Sequence, residues 1–139
     1  MAEIGSKDPL QTEITTLIFE GVAGTLISGG GINPSPGSVS VDFIITPQFP
    51  LVTIVSMVAP SPDWFVAAED VALIQNNDWV ETLEVPVLVY DSGTDSGTTF
   101  TSPNSIEDPF IPVYLISTPP LADNGEVSTM GVMIFERIN

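Results

Sequence analysis

The sequence has no cysteine and no histidine, and its 139 residues include only two bases, Lys7 and Arg137. Without cysteine there is no disulfide, no thiolate nucleophile and no thiolate metal site. Without histidine the Ser-His-Asp and Cys-His arrangements fall away, together with imidazole-bound zinc and the usual general base. Two bases against 18 acids leave a net charge of −16. Nothing in such a chain could displace counterions from a phosphate backbone, so nucleic acid is excluded as a partner. Docking on anionic lipid is disfavoured for the same reason, unless bound cations reverse the local sign. No run reaches the roughly 18 apolar residues of a membrane-spanning helix. The start, Met1–Pro9, lacks the charged-then-apolar pattern of a secretory signal. A trimmed, mature or recombinant form of a secreted protein is therefore the expectation.

What the sequence does have is punctuation. Its 13 prolines and 11 glycines are scattered without a period, which cuts the chain into short segments, as β folds require. Residues 1–10 are polar and without periodicity, and read as a flexible arm preceding one domain over 11–139. Glu13–Glu20 is rich in β-branched and aromatic residues and reads as a first strand. The stretch Gly29-Gly30-Gly31-Ile32-Asn33-Pro34-Ser35-Pro36-Gly37 is a loop. It lacks the lysine and following helix of a phosphate cradle. Ser38–Ile45 alternates, with Val39, Val41, Phe43 and Ile45 on one face and Ser40 and Asp42 on the other. Leu51–Val58 is apolar on both faces and reads as a central strand. Phe65–Ile74 fits a helical turn or a strand, and Asn76-Asn77-Asp78 is a turn. Trp79–Tyr90 is the longest predicted strand. Leu83, Val85, Val87 and Val89 point inward, and Pro86 requires a bulge or a free edge. Thr98–Thr101, Ile111–Ser117 and Val127–Ile138 complete about seven to nine strands, the pattern of an all-β antiparallel sandwich.

Two acid-bearing loops each follow one of these strands. The first is Ala59-Pro60-Ser61-Pro62-Asp63-Trp64-Phe65. The second, Tyr90-Asp91-Ser92-Gly93-Thr94-Asp95-Ser96-Gly97, places Asp91 28 positions after Asp63. Calcium takes six to eight oxygens at about 2.3–2.6 Å from carboxylates, carbonyls and water. A glycine-softened loop bearing Asp91 and Asp95 can present such oxygens, although it is not the helix–loop–helix calcium pattern. The plainer alternative is a pair of Asx-turns, each Asp bonding its own backbone two residues on. Asp63 alone reads as a turn acid beside an aromatic anchor. It gains significance if both loops share one end of a sandwich. Trp64 and Trp79 read as core anchors. Glu69 and Asp70 lie close enough to the first loop to add an oxygen or nothing. Asp78, Glu81, Glu107, Asp108, Asp123 and Glu126 read as surface acids. Asp63 with Asp91 could formally act as an acid–base pair on a glycoside, but the chain has few aromatics with which to line a sugar cleft.

The residues of these loops resemble a known family. Phe49–Val66, with Met57-Val58-Ala59-Pro60-Ser61-Pro62-Asp63-Trp64 at its centre, is similar to the signature of the spondin domain. Tyr90–Asn104 resembles that family's second signature, and Phe135-Glu136-Arg137-Ile138 fits its ending. This domain type occurs in F-spondin and mindin, and alone in prokaryotic proteins; the stand-alone prokaryotic-like version is the better likeness here. The resemblance implies an antiparallel β-sandwich similar to lipid-binding calcium domains, with a calcium ion held by loop carboxylates at one end. Asp63 and Asp91 carry over as ligands, and Asp95 matches the motif. A further family carboxylate comes from the strand before the first signature. Ile44 stands at the matching position, and Asp42, on the same face, is the substitute. The chain departs from the animal domains in its shorter upstream part, its missing cysteines, and Val89-Tyr90 in place of a Pro-aromatic pair. Integrin and microbial-surface binding by the animal members are not carried over.

Together these readings imply a secreted, non-enzymatic calcium-binding β-sandwich acting in adhesion, surface recognition or extracellular assembly. Its partner would be a cell-surface or matrix protein, a glycan, or another copy of itself. A structural subunit of an extracellular fibre or coat is the alternative, and a hydrolase using paired carboxylates a more distant one.

Overall fold

The structure is a computed structural model and describes residues 5–127 and 129–138. Two compact units are present, one comprising Met1–Ser6 with Leu51–Asn139, the other Lys7–Pro50. Residues 1–4 of the expected N-terminal arm, and Ser128 within the expected last strand, lie outside the described residues.

The Lys7–Pro50 unit overturns an expectation. Residues 13–19, expected in a strand, belong to helix α1, Asp8–Phe19. Pro9 sits in its first turn, where a missing N–H costs nothing. Leu10, Ile14, Leu17 and Ile18 share one stripe at helical spacing and are its half-buried residues. The threonines that suggested a strand are accommodated by donating to the preceding turn, Thr15 Oγ1 to the Gln11 carbonyl at 2.7 Å and Thr16 Oγ1 to that of Thr12 at 3.0 Å. The helix ends on Gly21 at φ 73°, with the Gly21 and Val22 amides donating back to the carbonyls of Ile18 and Leu17. Leu10 and its two neighbours before it thus form the first helical turn. Ser38–Ile45 forms no strand, and of its expected inward face only Phe43 and Ile45 are half-buried, while Val39, Val41 and Asp42 are exposed.

The larger unit is antiparallel β. Nine strands are present among the described residues: β1 Leu51–Met57, β2 Trp64–Ala72, β3 Ile74–Gln75, β4 Asp78–Trp79, β5 Thr82–Asp91, β6 Tyr114–Leu115, β7 Ala122–Asp123, β8 Glu126–Val127 and β9 Gly131–Glu136. Five of them form one sheet in the order β1-β2-β5-β6, with β9 paired to the first half of β5. β3 with β4, and β7 with β8, make two small hairpins. The all-β expectation thus becomes mostly β with one helix. Thr98–Thr101, expected as a strand, is turn and coil.

Local chemistry explains these elements. Asn76 and Asn77 both adopt positive φ, as a two-residue hairpin turn between β3 and β4 requires. In the β1–β2 ladder Val52 faces Val71 but Ile54 faces Ala68, so one residue, Thr53, opposes two. That bulge holds Asp70 at φ 51°, its amide on the Thr53 hydroxyl, and leaves Glu69 and Asp70 exposed. β5 shows the expected alternation, Leu83 and Val85 half-buried, Val87 and Val89 buried, with Glu84 and Pro86 exposed between them. Pro86 pairs with Val132 of β9, while the β2 ladder begins only at Leu88. The proline therefore occupies the part of β5 that needs no donor toward β2.

The core of this unit is Trp64, Val89, Ile116 and Leu121, with Val58, Val66 and Phe100 packed against it. Trp64 and Phe100 meet edge to face, centroids 5.2 Å apart. Each fully buried large apolar side chain contributes about 1.5–3 kcal/mol. Trp64 and Val89 lie on the paired strands β2 and β5, next to the residues that enter the two acid loops.

Candidate metal centre

β2 and β5 run antiparallel with Trp64 opposite Asp91. The start of one strand and the end of the other therefore share one end of the sheet. Asp63, immediately before β2, thus stands beside Asp91, the last residue of β5. The Ser92 amide donates to the Asp63 carbonyl at 3.3 Å and carries the pairing into the loops. The first loop is tied by Ser61, whose hydroxyl donates to the Val58 carbonyl at 2.6 Å and accepts from the Trp64 amide at 3.2 Å. The second is tied by the Glu107 amide on Thr94 O, the Ile111 amide on Gly93 O and the Ser96 amide on Ser105 O.

All three loop aspartates are buried, Asp63 at 0% exposure and Asp91 and Asp95 at 4% each. Charged groups are almost never buried without partners, so the destination of each oxygen matters. Asp63 Oδ2 accepts from the Ser92 hydroxyl at 2.8 Å, the Thr94 amide at 2.7 Å, the Thr94 hydroxyl at 3.0 Å and the Asp95 amide at 3.0 Å. Asp63 Oδ1, equally buried, accepts no hydrogen bond among the described residues. Asp91 Oδ1 accepts from the Gly93 amide at 2.8 Å, and its Oδ2 from the Trp64 indole at 3.2 Å. Tyr114 faces Asp91 across the β5–β6 ladder. Asp95 Oδ1 accepts from the Gly97 amide at 2.7 Å, and Oδ2 from the Ser105 amide at 2.8 Å.

Asp91 and Asp95 each form the Asx-turn that their spacing allowed. For Asp95 this uses one oxygen and clamps a second segment with the other. Its carboxylate closes the loop, with Asp95 and Ile106 forming an isolated bridge. Asp42 is exposed in the Lys7–Pro50 unit. Glu69, Asp70, Asp78, Glu81, Asp108, Asp123 and Glu126 are exposed, Glu107 is half-buried, and Glu81 pairs with Arg137 at 2.9 Å. Trp64 is the anchor expected of it, 2% exposed, while Trp79 is half-buried.

The electrostatics of the pair are unfavourable without a counter-charge. Burial pushes the Asp91 carboxyl above its usual range, and the nearby Asp63 charge adds to this, against the lowering effect of the Gly93 amide, Tyr114 hydroxyl and Trp64 indole. Burial, the hydrogen bond to Asp91 and the charges of Asp91, Asp63 and Glu107 push the Tyr114 hydroxyl up to about 12. No group of three or more acidic, histidine or cysteine side chains suited to a metal occurs among the described residues. An ion here would have two carboxylates, Asp63 and Asp91, and would draw its remaining oxygens from carbonyls, hydroxyls or water. An unpartnered anionic oxygen beside a second buried carboxylate fits a hard cation.

Reading the sequence did not single out Ser92, Thr94 and Tyr114. The two hydroxyls lie between Asp91 and Asp95 in the second loop and could have been found as donors flanking a carboxylate. Tyr114 reaches Asp91 only through the β5–β6 register, in which the two residues face each other, and no local pattern announces that.

Comparison with known proteins places these loops in context. The Spondin_N family profile matches residues 1–126. Spondin-2 of Rattus norvegicus and of Homo sapiens are each 35% identical over 79 residues, covering 57% of this chain and 24% of the relative. Spondin-1 of Rattus norvegicus is 30% identical over 159 aligned positions, covering 99% of this chain and 19% of the relative. The chain thus spans less than a quarter of the length of these curated relatives. A profile match over most of the chain, taking in both acid loops, settles the relationship: the chain belongs to the Spondin_N family.

Proposed function

We propose that the domain binds one calcium ion through Asp63 and Asp91, and serves as a secreted, non-enzymatic β-sandwich module in adhesion, surface recognition or extracellular assembly. The observation that carries the calcium reading is Asp63 Oδ1, an anionic oxygen at a fully buried residue with no donor among the described residues, beside a second buried carboxylate. Leaving a buried acceptor oxygen unsatisfied costs about 1–3 kcal/mol. A divalent cation removes that cost and the repulsion between the two acids together. Asp95 supports the site by closing the loop. The family supports the extracellular role, and no helix among the described residues is long and apolar enough to cross a membrane. A cell-surface or matrix protein, or a glycan, is the partner class this reading implies.

Calorimetric titration of the chelated protein with calcium tests it directly, supported by terbium luminescence excited through Trp64, whose indole contacts Asp91. One site with saturable heat and sensitised emission displaced by calcium is expected. Absence of both at millimolar calcium sinks the reading.

One observation favours the structural-subunit alternative. Phe110, Ile111, Val113, Tyr114 and Leu115 are all exposed in a run that includes β6, the last strand of its sheet path. An exposed apolar edge strand is a surface on which another chain can pair. Concentration-dependent association in sedimentation, abolished by Val113→Lys, would favour this reading, and a strictly monomeric protein at high concentration would reject it.

A further inference from the structure

The two oxygens of Asp63 are used in opposite ways. Oδ2 takes four donors, two amides from the loop backbone and the hydroxyls of Ser92 and Thr94. Oδ1 takes none among the described residues. A carboxylate oxygen has about two lone pairs, so Oδ2 is saturated and has no capacity left for a cation. The hydroxyls are also 3.0 Å from each other. Two hydroxyl hydrogens therefore serve three oxygen–oxygen contacts, and at least one must lie on the carboxylate. Rotating the carboxylate out of this plane would strand all its donors in a buried site.

We infer that Ser92 and Thr94 are positioning residues, which lock Asp63 so that it offers the ion a single oxygen, Oδ1. This rests on the calcium reading above. Neither hydroxyl has to touch the ion. They act through Asp63, fixing its plane before the ion arrives and holding the charge of Oδ2 on donors rather than on the cation. The backbone amides of Thr94 and Asp95 belong to the loop and persist when side chains are changed, so the hydroxyls are the part of the cradle that substitution can remove. Partners of this kind around a ligating carboxylate typically alter metal affinity 10- to 100-fold when removed.

Thr94→Val keeps shape and amide but deletes one hydroxyl, Thr94→Ser keeps the hydroxyl, and Ser92→Ala deletes the other. Calcium affinity is measured by calorimetry for each full-length variant, with the melting temperature in chelator measured alongside. The expected result is about a tenfold or greater loss of affinity for Thr94→Val and near-native affinity for Thr94→Ser, with the chelated melting temperatures of the two close together. Ser92→Ala should also weaken calcium, and it decides the matter if Thr94→Val does not fold. Unchanged affinity in both hydroxyl deletions, alongside lost binding in Asp63→Asn, overturns the positioning role and leaves the calcium reading standing. A wild-type protein that takes up no calcium overturns the calcium reading itself.

Discussion

At the scale of single residues, Asp63 and Asp91 are two buried carboxylates side by side, and pH tests the proposal that a cation relieves them. Asp91 in the folded chain lies above its ordinary value of 3.8, chiefly through burial. The native state therefore holds the proton more tightly than the unfolded state. Stability falls as pH rises from the ordinary value through the folded one, and the full contribution is present only below that window. In chelator, the Asp91 contribution should grow as pH is lowered through that window. Calcium should reverse the trend, because an ion favours the ionised form and must be displaced by the proton. Urea unfolding of wild type and Asp91→Asn across this range, with chelator and with calcium, isolates the contribution of Asp91 from the relief of general repulsion. A wild-type-minus-variant difference with no pH dependence in chelator would contradict the account. Gly93 belongs to the same scale. It sits at φ 74°, and a Cβ there would lie 2.1 Å from the Ile111 carbonyl oxygen. Gly93→Ala combines a disfavoured backbone with a clash against backbone, and should cost about 2–4 kcal/mol in chemical unfolding. The loop would have to open between residues 93 and 111, so calcium affinity should fall with it.

At the scale of elements, the sequence was most readable where a segment carries its own instructions. The alternation of Leu83, Val85, Val87 and Val89 found β5, and Asn76-Asn77 found the hairpin turn. The two prolines flanking Leu51–Val58 bracketed β1, but its apolar faces misled: expected as a central strand, it pairs only with β2 at the end of the sheet path among the described residues. The failures have equally local causes. Thr15, Thr16 and Ile18 raised the β propensity of residues 13–20, but Pro9 in the first turn, the stripe of Leu10, Ile14, Leu17 and Ile18, and Gly21 at the end describe a helix. In this segment helical periodicity outweighs β propensity. Ser38–Ile45 failed differently: alternation shows that a segment can serve as a strand, but a strand exists only when a partner supplies its hydrogen bonds. The acid loops were legible as loops with candidate oxygens. Their juxtaposition followed from the Trp64–Asp91 register, which no window of sequence contains. The contrast between a saturated Oδ2 and an unpartnered Oδ1 on Asp63 was beyond reach for the same reason, because its donors lie about thirty positions away in the chain.

At the scale of the whole molecule, a net charge of −16 complicates any test of a calcium site. Such a chain repels itself, and any salt that screens it will stabilise it. A higher melting point in calcium alone is therefore weak evidence, and the comparison must be made at matched ionic strength. Site binding stabilises by an amount set by ligand concentration over Kd, about 2.7 kcal/mol at a hundredfold excess. At this chain length 1 kcal/mol moves the melting temperature by roughly 3–4 °C, so saturating calcium should add about 10 °C over sodium chloride of equal ionic strength. Magnesium should give less, because it demands a tight octahedral shell and gives up its water reluctantly. Screening predicts a different order, with magnesium and calcium equivalent and every acidic residue contributing alike. The decisive variant is Asp63→Asn, which changes the net charge by one and so leaves screening almost intact. Its calcium increment should collapse to that of sodium chloride, while an exposed control such as Asp123→Asn keeps the full increment. Equal increments in the two variants would show that calcium acts on the charge of the whole surface and not on the pair at the end of β2 and β5.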